Sequence, residues 1–155
     1  MRPYLLNFFN YNYQANIKLL DTIYTLPQKE EAVKLFSHLI LAQDKWLNRI
    51  TNTKEDSSVH WMLPVIPLEE LASKWDASMK AWLKLVEEKS DDELQQDVIF
   101  KRASDGKAMG IKLLDLILQL NYHNIHHRAQ INSLISKQGI TPPQTDYIFT
   151  KLREI

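Results

Sequence analysis

The chain has 155 residues, 45% of them hydrophobic and 25% charged, which is enough for one domain with an apolar core and too few for two. Nineteen basic residues balance nineteen acidic ones with no basic run, which argues against nucleic acid or an anionic membrane as a partner. Cysteine is absent, so disulfides, thiolate ligands and a cysteine nucleophile are excluded together, and any thiol chemistry needs a thiol from outside.

Only three glycines, among long stretches of helix-favouring residues, predict an all-α protein. The opening residues, Met1 to Asn10, are apolar but interrupted by asparagines and followed by no small-residue cleavage site, so they read as a helix and not as a signal peptide. A first helix is expected over 3–24, with Pro3 in its first turn and Leu26-Pro27 beyond its end. A second is expected over 28–52, with Leu35, Leu39, Ala42, Trp46 and Ile50 forming an apolar stripe. Residues 53–67 then form a long crossover, carrying His60 and Trp61, over the end of the bundle, and connections of this length often line sites. A third helix, 67–89, has Leu68, Leu71, Trp75, Ser78, Trp82 and Leu85 along one seam. Trp46, Trp75 and Trp82 are read as core packing.

Ser90, followed by three acidic residues, predicts an N-cap and a short helical turn. The stretch from Asp97 to Lys107 alternates like a strand and turns at Asp105-Gly106, which suggests a small hairpin. The longest apolar helix is expected over 110–137, closed by Gly139, with one last short helix running through Arg153. These elements describe a single domain, residues 1–155, built as a four-helix bundle with a long crossover between helices 2 and 3. No apolar run reaches the roughly eighteen residues a membrane span needs, so a cytoplasmic protein is expected.

The chemistry concentrates in the fourth helix, in His123-Asn124-Ile125-His126-His127-Arg128-Ala129-Gln130. Residues i and i+4 share a helix face, so His123 and His127 can offer two ring nitrogens to one ion. Advancing about 100° per residue puts His127 within the apolar cluster of Leu113, Leu116, Ile117, Leu120, Ile131, Leu134 and Ile135. His123 falls toward the edge of that face and His126 on its far flank. His38, bordering the stripe of helix 2, is a third candidate donor. On spacing alone a His-x-x-x-His pair is more often exposed or satisfied within the core, and no glutamate follows His123 to make a metalloprotease motif. Gln130 lies near His123 in rotation and is a candidate outer hydrogen-bond partner. Asn12 and Asn16, on the expected inner seam of helix 1, need partners and can line a polar pocket.

Three segments together resemble the DinB-like superfamily, which includes the YfiT-type proteins. They are Tyr11-Asn12-Tyr13-Gln14-Ala15-Asn16 with Leu19-Leu20, Phe36-Ser37-His38-Leu39 with Gln43 and Trp46, and Asn121-Tyr122-His123 with His127-Arg128-Ala129-Gln130. Ala129 stands where the family usually has glycine. The resemblance implies a small metal-binding four-helix bundle in which His38, His123 and His127 hold a divalent ion, commonly zinc or nickel. It further implies a metal-dependent enzyme, either an S-transferase using an exogenous low-molecular-weight thiol or a hydrolase using water, acting on a small molecule. A bundle that binds a metal or small ligand without turnover is the alternative. Many such proteins look like homodimers, and here Leu118 and Ile125, turned away from the histidine face, are the apolar residues a second copy would cover. Unperturbed histidine ligands would release their ion near pH 6.5.

Overall fold

A computed structural model describes residues 1–51, 61–102 and 104–154. His60 lies outside the described residues. The order of elements is α1 (Arg2–Thr25), α2 (Glu30–Thr51), α3 (Leu68–Glu88), a single turn α4 (Asp91–Leu94), β1 (Asp97–Lys101), β2 (Ala108–Lys112) and α5 (Leu113–Lys137). A 3₁₀ turn, Tyr147–Thr150, stands where a last short helix is expected. None of the described helices is long and apolar enough to cross a membrane.

The four long helices form the expected bundle, and α1 and α2 each pack against both α3 and α5. Fully buried Phe9, Phe36, Leu71, Trp75, Met79, Trp82, Ile117 and Ile131 make the centre of the core. Trp82 stacks on Phe9 at 5.8 Å between ring centroids, and Trp75 meets Phe36 edge-on at 5.5 Å. Both indole N–H groups reach main-chain carbonyls, of Gln43 from Trp82 and of Tyr13 from Trp75, so these large residues bury no unpaired donor.

Helix ends follow their local chemistry. Pro3 opens α1, where its missing N–H costs nothing. Ser90 and Glu93 exchange hydrogen bonds as a capping box on α4, and Gly139 takes a positive φ of 73° after α5. The fourth long helix begins at Leu113 instead of near Gly110, because the chain through Lys112 is committed to a hairpin. There Asp97 pairs with Lys112 and Ile99 with Gly110, and the N–H of Leu113 donates to the carbonyl of Gln96 at 2.9 Å. Of the two residues expected on an uncovered apolar face, Ile125 is exposed, but Leu118 is half-buried and packs on the core. The buried residues Phe36, Leu39 and Ile40 seat α2 in the bundle with His38 between them, on the side facing α5.

Candidate metal centre

The structure brings His38 of α2 together with His123 and His127 of α5. One ring nitrogen from each lies within 4.8 Å of the others, and the ring centroids are separated by 5.0 Å (38 to 123), 4.7 Å (38 to 127) and 4.4 Å (123 to 127). Nε2 of His123 lies 2.9 Å from Nε2 of His38. This is less than twice a zinc–imidazole bond of roughly 2.0–2.1 Å, so both atoms can reach one ion. His126 is exposed, and its ring touches only the back of the group, 5.1 Å from the ring of His127.

The other ring nitrogens decide which atoms remain free. Nδ1 of His38 lies 2.6 Å from the carbonyl oxygen of Trp61, which can only accept, so this nitrogen carries the proton and donates. Nδ1 of His127 is likewise 2.6 Å from Oε1 of Gln130. Both rings are thereby fixed with a bare lone pair on Nε2, the tautomer of a metal ligand whose outer nitrogen is held by an oxygen acceptor. The 2.9 Å approach of His123 to the His38 lone pair is then sustained by a proton on His123 or by a cation shared between them. The donor set of three imidazoles fits a divalent transition metal.

Burial favours the neutral rings that ligation needs. His123 is pushed down to about 4, first by burial and then by the neighbouring His127, His38 and His126. His127 is lowered as well, again chiefly by burial, with its hydrogen bond to Gln130 acting in the opposite direction.

The surroundings of Trp61 are aromatic and cationic. Nζ of Lys45 sits 4.4 Å from the Trp61 ring, and the guanidinium of Arg49 lies over Trp46 and Phe100 at 4.5 and 4.8 Å. Trp61 thus touches the cluster through its main-chain carbonyl, which no side-chain pattern in the sequence announces.

Asn12 and Asn16 do not line an open pocket. Their amides donate to Asn121 and Asn124 at 2.7 and 2.8 Å, and their oxygens accept from Arg128 at 3.0 and 2.9 Å, all within the bundle. Nor is His127 at the centre of the buried face of α5. In these turns the buried positions are Asn121, Asn124 and Arg128, while both ligand-type histidines are half-buried. The apolar pattern misses this because the polar residues are satisfied by α1, which widens the buried sector beyond the hydrophobic stripe. The signal available in the sequence is the matching pair of asparagines on each of α1 and α5, Asn12 and Asn16 against Asn121 and Asn124.

Neither the comparison with curated proteins nor that with solved structures finds a match. The model of the DinB family matches residues 1–154, nearly the whole length over which the helices, the hairpin and the three histidines are arranged. The chain belongs to the DinB family.

Proposed function

We propose that the protein is a metal-dependent enzyme that holds a divalent ion through Nε2 of His38, His123 and His127 and acts on a small exogenous thiol or on water. The observation that supports this reading is the pairing of each outer Nδ1, in His38 and His127, with a carbonyl oxygen while the inner nitrogens converge. When bound, a zinc or nickel ion supplies a double positive charge, undiminished by three neutral imidazoles, that lowers the pKa of a coordinated thiol or water. Three protein ligands are also the number found where a coordination position is left for substrate. Trp61 and Gln130 hold the tautomers, and burial of His123 keeps protons from competing for its nitrogen.

The test begins with metal content. Wild-type protein is expected to hold about one equivalent of divalent metal, and His38→Ala and His127→Ala to lose most of it while circular dichroism remains helical. His126→Ala retains it. Loss in His126→Ala with retention in His127→Ala would overturn the ligand set. A panel of small thiols and electrophiles on metal-replete protein then separates S-transfer from hydrolysis. Full metal occupancy with no turnover in either assay favours a non-catalytic binding protein.

A further inference from the structure

The central turns of α5 present two chemically different faces. His123 and His127 turn toward His38 on α2, whereas Asn124 and Arg128, each one residue further and so rotated by about 100°, turn toward α1. On that side Nη1 of Arg128 donates to Asn12 and Asn16, and Nη2 donates to the hydroxyl of Tyr11 at 2.7 Å. Tyr11 donates onward to the carbonyl of Thr145 at 2.8 Å. The amides of Asn121 and Asn124, which accept from Asn12 and Asn16, donate in turn to the carbonyls of Ile117 and Leu120, each at 2.9 Å. The result is a ladder between α1 and α5 whose four asparagines and arginine are at most 3% exposed.

The hydrogen bonds of Arg128 go to neutral oxygens, those of Asn12, Asn16 and Tyr11. Burial pushes the guanidinium below its ordinary pKa, with Tyr11 and the carboxylate of Asp146 opposing. Leucine-like residues of similar volume would join two helices without desolvating a charge, so stability alone does not account for such a ladder. Hydrogen bonds supply a unique register, which an apolar seam, tolerant of repacking, does not enforce. Register matters here because a one-residue slip of α5 turns its face by about 100° and carries both His123 and His127 away from His38.

We propose that Arg128, with Asn12, Asn16, Asn121 and Asn124, is a positioning device for the histidine triad: the ladder fixes the rotation and register of α5 on α1 and so presents His123 and His127 to His38. The proposal rests on the reading of the triad as a metal site. Asn124 and Arg128 directly follow the two histidines in sequence, so relaxation of the ladder reaches the ligands within one residue.

The test compares wild type with Arg128→Met and with the paired variant Asn12→Leu, Asn121→Leu, in both metal-free and metal-loaded form. Thermal melts of the metal-free proteins report the fold, chelator competition reports zinc affinity, and the visible spectrum of the cobalt-loaded protein reports the coordination geometry. The expected result is a metal-free protein that still folds cooperatively, at a lowered melting temperature because the partners left behind are buried and unpaired, with zinc affinity reduced roughly 10- to 100-fold, the range found when groups orienting metal ligands are removed. The cobalt spectrum changes with it. A folded variant that keeps wild-type affinity and spectrum overturns the proposal, and so does failure of both variants to fold, which would make the ladder a support of the fold itself. Wild type that binds neither zinc nor cobalt would instead refute the metal site, and the proposal with it.

Discussion

A neutral imidazole is a ligand and a protonated one is not, so the burial of individual rings sets the acidity the site tolerates. In the unfolded chain a histidine titrates near 6.5. Above that pH His123 and His127 are neutral in both states, and their depressed pKa values cost the fold nothing. Below it, the unfolded chain takes up protons that the folded chain refuses, so metal-free protein loses stability as pH falls, until His123 itself protonates near 4 and its share of the loss levels off. Urea midpoints of the metal-free protein are expected to decline from about pH 6.5 downward, and to decline less in His123→Ala. A flat profile would refute the burial argument. The same depression moves acid release of metal below the value expected for free rings. Gln130 offers a separate handle, since it is exposed yet holds Nδ1 of His127. Gln130→Leu is expected to weaken metal binding roughly 10- to 100-fold while changing metal-free stability by no more than about 0.5 kcal/mol, measured by chelator competition and urea titration. At this scale the i, i+4 relation of His123 to His127 is legible in the sequence. The inward turn of Arg128 is not, because patterning assigns a charged residue to solvent unless its neutral partners on another helix are known.

Among the elements, the long helices are legible to within two or three residues because proline, glycine and apolar spacing act locally. The hairpin before α5 shows where local signals stop. Spacing alone places the start of a helix at Gly110, yet it pairs with Ile99, and a Cβ added there would approach the Ile99 side chain to 3.2 Å. Cross-strand pairing is a relation between distant positions, and it outweighs the propensity of the segment that follows. The other end of the hairpin has a different requirement. Gly106 sits at φ 69° with nothing within 4 Å of an added Cβ, so a side chain there meets backbone strain alone. Gly106→Ala is therefore expected to destabilise by about 1 kcal/mol through the left-handed conformation, read as a lowered urea midpoint with unchanged metal content. A neutral effect would mean that the turn readily adopts another conformation. The contact between the Trp61 carbonyl and His38 is likewise a main-chain relation between distant positions, independent of the residue type at 61.

At the scale of the whole molecule, the fold and the histidine site draw on different groups. The core is carried by residues such as Trp82, which is fully buried, stacked on Phe9 and hydrogen-bonded to the carbonyl of Gln43. Trp82→Ala removes all three interactions and is expected to cost about 3–5 kcal/mol, a large part of the roughly 5–15 kcal/mol that a domain of this kind possesses. The metal-free variant should show a much lower urea midpoint. Stripping metal from the wild type should act differently. Metal binding adds stability only by mass action on an already folded chain, about 2.7 kcal/mol at a hundredfold excess over the dissociation constant. Chelator is therefore expected to lower the melting temperature while leaving the helical circular dichroism at 25 °C intact. Unfolding on chelation would make the ion a structural element, as in zinc fingers, and would contradict the separation of core from site. Persistence of the fold, with the melting shift reversed on adding metal, fits a bundle that stands on its apolar core and leaves its three histidines for the ion.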